Sequence, residues 1–94
     1  MSYLYEHKKD RKGQEYIEIT GYEGTIRHLS VPAIIEDLPV RSIGKSAFSG
    51  REDLFSVELP ATIDTLGRYV FYNCKNLRSI SLHDGVEDYY DGVI

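Results

Sequence analysis

Length, composition and charge restrict what this sequence can encode. The chain has 94 residues and a formal net charge of −4, which suits one small domain with a modest core. Nucleic acid binding needs clustered Lys and Arg at the phosphates, so an acidic chain with 11 such residues is not expected to bind nucleic acid. The single cysteine excludes an internal disulfide and a cysteine-based zinc site.

The N-terminal segment and the hydropathy bear on localisation. The stretch from Glu6 to Lys12 is rich in charge, which leaves no room for the apolar part of a secretory signal. No window reaches the roughly 20 apolar residues of a membrane span, so we expect no membrane insertion. The localisation stays open: cytoplasmic if the chain is complete, and the cell surface if it is a fragment of a longer protein.

Residues 1–32 predict an N-terminal β cap. Side chains alternate in character over 3–7 and again over 16–20, as in two half-exposed strands joined by a polar turn. A tight turn at 21–24 and a third strand at 25–31 would follow, and this strand would end at a proline, which lacks the N–H that a strand ladder needs. The three strands would cover the first of the repeats that follow.

Residues 33–94 predict a repeat region. Two copies of one 23-residue pattern, Ile43–Thr65 and Leu66–Asp88, read IGKSAFSGREDLFSVELPATIDT and LGRYVFYNCKNLRSISLHDGVED, and a truncated third copy follows. A fixed period of about 20–29 residues with an L-x-x-(V/I)-x-L core is typical of leucine-rich repeats. Each coil of such a repeat stacks on the next to bury its apolar face.

A degenerate repeat precedes these two copies. Its segment 29–32, LSVP, resembles VELP at 57–60, but the stretch from Pro32 to Gly44 is five residues longer than the stretch from Pro60 to Gly67. The insertion is apolar, so we expect its side chains to be buried. They are Ile34, Ile35, Leu38, Pro39 and Val40.

Each full repeat is expected to contain one short helical turn and one strand. The helical turns, 45–50 and 68–74, begin after a glycine, and the strands cover 54–59 and 77–82. The predicted fold class is therefore a β-rich α/β solenoid, which is a short right-handed leucine-rich repeat coil with an N-terminal β-hairpin cap.

The pattern IG-x-x-AF-x-x-C-x-x-L-x-x-I-x-LP, at Ile43–Pro60 and Leu66–His83, resembles the BspA-like, or Treponema-type, leucine-rich repeat. The upstream Ile17-x-Ile19-x-Gly21-Tyr22-x-Gly24 resembles the entry segment that often precedes such repeats. This chain departs from the family pattern at three positions, where Arg51, His83 and Tyr90 replace Cys, Pro and Gly. The resemblance implies a bacterial surface protein of the adhesin type, which attaches to host matrix or to other cells.

The outward-facing strand positions are candidates for partner binding. Side chains alternate along a strand, so the residues between the core positions form two short ladders on one surface, where repeat proteins commonly bind. A solvated sheet face without a partner is the alternative, because an extended binding surface needs more repeats. The ladder residues are His28, Ser30, Ser56, Glu58, Ser79 and Ser81.

Tyr69 and Tyr72 are a second candidate for partner binding. They lie three residues apart in the second predicted helical turn, where the preceding repeat has Ser46 and Ser49. Tyrosine is enriched at interfaces because it offers a large contact area for few frozen torsions. The alternative is that each ring leans over the smaller serine of the preceding coil.

The truncated third copy predicts self-association. It breaks off on positions that are apolar in the preceding repeat, so an apolar end would stay uncovered unless a second molecule or a further coil covered it. A homodimer through this end would use Tyr89, Tyr90, Val93 and Ile94.

No set of residues predicts catalysis, a cofactor or a metal site. Cys74 has no paired Cys or His and is interpreted as a buried structural thiol, and His7, His28 and His83 lack the spacing of metal ligands. We therefore expect a non-enzymatic module, without cofactors, that binds a protein or a glycan. The alternative is a structural or assembly piece that self-associates through its C-terminal coil.

Overall fold

The computed structural model describes residues 2–81 and the backbone of residues 88–89, and this part of the chain contains two β-sheets. A six-stranded sheet has the order β1-β2-β5-β7-β9, with β4 attached to β5, and a three-stranded sheet has the order β3-β6-β8. The strands are β1 Ser2–Lys9, β2 Glu15–Glu23, β3 His28–Ser30, β4 Ile34–Ile35, β5 Leu38–Ile43, β6 Ser56–Glu58, β7 Thr65–Leu66, β8 Ser79–Ser81 and β9 Asp88–Tyr89.

The strand register confirms the 23-residue repeat. Ser42 pairs with Thr65 and Thr65 pairs with Asp88 in parallel, and Ser56 pairs with Ser79 in the other sheet. Each of these steps is one repeat long, so successive repeats lie one strand spacing apart. The same period extends into the truncated third copy, since Tyr89 lies 23 residues after Leu66 and pairs with it between β7 and β9.

The N-terminal hairpin has two strands rather than the three expected. β1 and β2 pair antiparallel as predicted, but β2 continues to Glu23, so the predicted tight turn at 21–24 is wrong. β3 is also shorter than expected and leaves the hairpin to pair in parallel with β6. Burial explains this choice, because Leu29 is 1% exposed on the rung beside Val57.

The five-residue insertion forms a second, smaller hairpin. β4 pairs antiparallel with β5 around Glu36 and Asp37, whose φ angles of 52° and 64° fit the two-residue turn that matches the twist of the strands. Val40 is fully buried, as expected, whereas Ile34, the first residue of β4, is 64% exposed, so the expectation of burial is wrong for Ile34. The Tyr5 hydroxyl donates a hydrogen bond to Glu36, which fixes the insertion against β1.

The predicted helical turns are wrong, since residues 2–81 contain no helix and 45–50 and 68–73 are runs of tight turns. The N–H groups of Ser46 and Phe48 donate to the carbonyls of Arg68 and Val70 in the next repeat, at 2.9 and 3.1 Å. In an α-helix over 45–50 the Phe48 N–H would instead donate to the Gly44 carbonyl within its own segment. Tyr69 has a φ of 62°, which also prevents helical continuation.

The core runs between the two sheets and the turn segments. Phe48 and Phe71, one repeat apart, stack with ring centroids 5.9 Å apart and planes 9° from parallel. Burial of each such side chain contributes about 2 kcal/mol, so the repeats depend on each other for their stability. The buried apolar residues are Ile17, Ile19, Leu29, Val31, Val40, Ile43, Phe48, Leu54, Val57, Ile63, Leu66, Val70 and Phe71.

The two repeat glycines, Gly44 and Gly67, generate a prediction about the spacing of the repeats. A Cβ on Gly67 would lie 2.6 Å from the Lys45 nitrogen and 2.8 Å from the Gly44 carbonyl carbon, both of which are backbone atoms. A Cβ on Gly44 would lie 3.2 Å from a Glu18 carboxylate oxygen, which can move aside.

We expect Gly67→Ala to lower the free energy of unfolding by about 1–3 kcal/mol, because the repeats must move apart. Gly44→Ala is the matched control and should cost clearly less. Urea unfolding followed by circular dichroism measures both variants. Equal losses in the two variants would contradict the close approach of the backbones at Gly67.

Candidate binding surfaces

The polar strand face, which we define as His28, Ser30, Ser56, Glu58, Ser79 and Ser81, lies on the three-stranded sheet. One row joins His28, Ser56 and Ser79, and the other joins the remaining three, as parallel pairing of β3, β6 and β8 requires. The structure thus brings together all six residues that the sequence placed in two ladders. They border a shallow depression of about 260 Å³.

The polar strand face is largely exposed to solvent, and its side chains make few hydrogen bonds to one another. His28 Nδ1 and Ser56 Oγ are 2.7 Å apart, which is a hydrogen bond whose direction depends on the histidine tautomer. Glu58 is exposed and has no ion pair among the residues that the structure describes. The face therefore offers hydroxyls, a ring nitrogen and a carboxylate for hydrogen bonding.

Arg51 and Asp53 hold the connection that leads into β3. Arg51 donates hydrogen bonds to the carbonyls of Gly24, at 2.7 Å, and Tyr22. The Asp53 carboxylate accepts a hydrogen bond from the Ile26 N–H at 2.8 Å and pairs with Arg51 at 3.2 Å. Hydrogen bonding from the Ile26 amide, together with the positive charge of Arg51, lowers the pKa of Asp53.

Tyr69 and Tyr72 form an exposed aromatic pair, which we call the tyrosine pair. Their ring centroids are 5.4 Å apart with the planes at 65°, and the two residues are 38% and 52% exposed. Each ring therefore contacts the other edge to face, which is a favourable aromatic geometry. In the described part of the chain, neither hydroxyl has a hydrogen-bond partner.

The backbone of Tyr69 is unfavourable for its residue type. Its φ of 62° is left-handed, where a bulky side chain costs about 1 kcal/mol relative to Gly or Asn. The same turn contains Asn73 at an equal φ of 62°, a residue type that tolerates this conformation. Stability alone therefore does not explain a tyrosine at position 69.

The sequence predicts a buried Cys74, whereas the structure shows this residue half-buried. Its Sγ donates a hydrogen bond to the Phe48 carbonyl at 3.1 Å, and burial raises the pKa of the thiol. A raised pKa disfavours the nucleophilic thiolate. This geometry fits the interpretation of Cys74 as a structural thiol.

Four of the predicted interface residues fall partly or wholly outside the described residues. The structure describes the backbone of Tyr89, in β9, but not its side chain. The other three residues, Tyr90, Val93 and Ile94, lie outside the described residues. His83 of the repeat pattern also lies outside. Self-association through these residues stays a prediction.

The described residues contain neither a cluster of metal ligands nor a membrane-spanning helix. Within 2–81 and 88–89, no three His, Cys, Asp or Glu side chains group together as metal ligands. Over the same residues, no helix is long and apolar enough to cross a membrane.

Sequence reasoning missed a row of residues directly before the three strands. Arg27, Phe55 and Arg78 stand one position before His28, Ser56 and Ser79, and the Arg27 guanidinium lies over the Phe55 ring at 4.4 Å from its centroid. The 23-residue period already aligns Phe55 with Arg78. It gives no sign of the Arg51 and Asp53 contacts, because these join a repeat to the segment before it.

Parallel strands one repeat apart, stacked phenylalanines and a polar face together define a leucine-rich repeat protein. A family model described as "BspA type Leucine rich repeat region (6 copies)" matches residues 25–93. The chain belongs to this family, and the fold is therefore strand-rich leucine-rich repeat. Comparison with curated proteins gives no match.

Solved structures of bacterial leucine-rich repeat proteins are similar to this chain. The T. pallidum leucine-rich repeat protein is 30% identical with a TM-score of 0.76 over 87% of the chain. A Bacteroides ovatus leucine-rich repeat protein is 25% identical, with a TM-score of 0.77 over 92% of the chain. A leucine-rich cell surface protein from Faecalibacterium prausnitzii is 27% identical, with a TM-score of 0.71 over 94% of the chain.

The chain spans only part of these proteins: 38% of the T. pallidum protein, 23% of the B. ovatus protein and 25% of the F. prausnitzii protein. Family membership is consistent with a binding or scaffold role. The activities and partners of these longer proteins therefore do not transfer directly to this chain.

The low pKa of Asp53 predicts a pH dependence of stability. A carboxylate with a lowered pKa in the folded state stabilises the fold above its ordinary value of 3.8, and this contribution is lost as the pH falls through the folded-state pKa. Asp53→Asn should therefore cost about 1 kcal/mol at pH 7 and progressively less below pH ~4.

Urea unfolding of both proteins from pH 7 down to pH 3 measures this difference. Glu52→Gln is the control for removal of one negative charge, since Glu52 is exposed and pairs with the exposed Lys75. A cost of Asp53→Asn that stays constant over the whole pH range would rule out the charge of Asp53 as the cause.

Proposed function

We propose that this chain is a non-enzymatic recognition module that contacts a protein partner through the tyrosine pair. The observation that carries the proposal is an exposed pair of aromatic rings in which Tyr69 adopts a left-handed backbone. The left-handed backbone belongs to the repeat, since Ser46, one repeat earlier, has a φ of 58°, so the feature particular to this turn is the bulky aromatic residue at that position. The preceding repeat has serines at the same two positions, so the repeat architecture itself does not require tyrosines there.

The geometry of the pair favours a protein over a sugar at this position. The two planes meet at 65°, so they do not offer one flat surface on which a sugar ring could stack. Two tyrosines whose hydroxyls have no partner among residues 2–81 instead supply apolar area and hydrogen bonding at low entropic cost, as protein interfaces require.

The setting of the module is also a proposal. We place the chain at a bacterial cell surface as part of a longer protein, and the similarity to the F. prausnitzii cell surface protein supports this. We further infer that the β1–β2 hairpin caps the repeats. The parallel pairing of β2 with β5, with β1 on the outer side of β2, supports the capping role.

A second proposal is an assembly role through the C-terminal coil. The in-register pairing of β7 with β9 supports it, because the sheet continues for one more rung at the segment that contains Tyr89. This role predicts that Ile94→Asp lowers the molecular mass measured by light scattering over a range of concentrations. A monomer in both proteins would contradict it.

We expect the double variant Tyr69→Asn, Tyr72→Ser to bind its protein partner at least about 10-fold more weakly, as loss of interface tyrosines does. Its stability should change little, because Asn tolerates the left-handed backbone and offsets the lost ring contact. Biolayer interferometry against purified collagen, fibronectin and laminin measures the binding, and urea unfolding measures the stability.

Ile34→Ser is the matched control, since Ile34 is an exposed apolar residue on a different surface, the β4–β5 hairpin. It should leave binding unchanged. Equal binding by the wild type and the double variant would exclude the tyrosine pair as the contact, and no binding of the wild type to any of these matrix proteins would count against the proposed function.

A further inference from the structure

A row of two arginines and a phenylalanine borders the polar strand face. The Phe55 N–H donates to the Arg27 carbonyl at 2.7 Å, and the Arg78 N–H donates to the Phe55 carbonyl at 2.8 Å, so the three residues lie on successive rungs. Neighbouring strands are about 4.8 Å apart, which places the two arginine backbones about 10 Å from each other. We call Arg27, Phe55 and Arg78 the arginine rim.

Within residues 2–81, the arginines of the rim have no carboxylate partner, unlike two other arginines of the chain. Arg41 pairs with Asp10 and Asp64, and Arg51 pairs with Asp53. In contrast, neither Arg27 nor Arg78 has an ion pair within the described residues, and both are exposed. Among the described residues, the hydrogen-bond donors of these two arginines are therefore not occupied by a carboxylate.

The Arg27 guanidinium is already oriented. Its central carbon lies 4.4 Å from the centroid of the Phe55 ring, which is the distance of a cation–π contact. A stacked guanidinium has lost part of its rotational freedom, so less entropy is lost when it binds an anion. Its planar fork of N–H donors can meet a carboxylate or a sulfate with two parallel hydrogen bonds.

We propose that the arginine rim binds the anionic group of an acidic glycan, while the adjacent polar strand face hydrogen-bonds to the sugar hydroxyls. The site is separate from the tyrosine pair and stands independently of the proposed protein contact.

The polar strand face favours a sugar over a peptide. It presents serine hydroxyls, the His28 ring and the Glu58 carboxylate, which match the alternating donors and acceptors of a sugar. Glu58 lies three residues after Phe55 along the chain, about 10 Å away. Its negative charge disfavours an anionic group at that end of the polar strand face. The anionic group is thereby confined to the arginine end, with neutral hydroxyls at the Glu58 end.

The test is isothermal titration calorimetry of the full 94-residue chain with tetragalacturonate, an oligosaccharide whose anionic groups are carboxylates. A neutral galactan tetrasaccharide of the same length and a tetraglutamate peptide are the comparison ligands. We expect binding of tetragalacturonate that weakens with added salt, and binding of both comparison ligands that is at least about 10-fold weaker.

The double variant Arg27→Gln, Arg78→Gln should weaken the binding of tetragalacturonate at least about 10-fold. Arg11→Gln, Arg68→Gln is the matched control, because it removes two exposed arginines that also lack ion pairs in the described part of the chain, and it should change the affinity by less than about 2-fold. Arg27→Lys keeps the charge but loses the planar fork, so an intermediate affinity is expected. Circular dichroism verifies that each variant is folded.

Several outcomes would overturn the proposal. They are no heat of binding with tetragalacturonate, equal affinity for the neutral tetrasaccharide, or tighter binding of tetraglutamate, which would assign the rim to an acidic peptide. A loss of binding in the Arg11 and Arg68 control would place the site at another surface. Loss of protein binding in the tyrosine variant with intact glycan binding would show that the two sites are independent.

Discussion

Backbone hydrogen bonds between successive repeats are the constraint on which this structure depends. The Gly67 N–H donates to the Ile43 carbonyl of the preceding repeat, and the Gly44 N–H makes the equivalent bond to the Ile19 carbonyl of the N-terminal hairpin, each at 2.8 Å. Such bonds fix the distance between repeats at one strand spacing. At this distance a Cβ at position 67 has no room. In the segment after Gly44, the N–H groups of Ser46, Phe48 and Gly50 donate to carbonyls of the next repeat rather than to a helix.

The same constraint builds surfaces from residues that are distant in sequence. Because one residue of each repeat lies directly above its counterpart, a single position becomes a row, as His28, Ser56 and Ser79 do. Replacement of one member then changes the surface locally without a change in the backbone. Tyrosines at 69 and 72, opposite serines in the preceding repeat, are such replacements, and they give this repeat an exposed aromatic surface that the preceding one lacks.

Much of the fold could be predicted because the repeat pattern depends on one short segment at a time. Apolar residues at a fixed period identify the rungs, and alternation along a strand identifies the outward positions, so both ladders and the alignment of Tyr89 with Leu66 were predictable. The contact of Arg51 with the end of β2 was not. Arg51 replaces the cysteine of the family pattern, and the 23-residue period does not indicate which earlier carbonyls its guanidinium contacts.

The sequence by itself determined the 23-residue period, the residues that face the core and the membership of the repeat family, because these follow from local spacing and side-chain polarity. Only the tertiary structure decided that β3 leaves the hairpin for β6, that Arg27 lies over Phe55 and that the turn segments are not helical. Each of these depends on which partner a backbone or side-chain group finds in a neighbouring repeat. That partner is fixed by the stacking of the repeats, and not by the residues beside it in the chain.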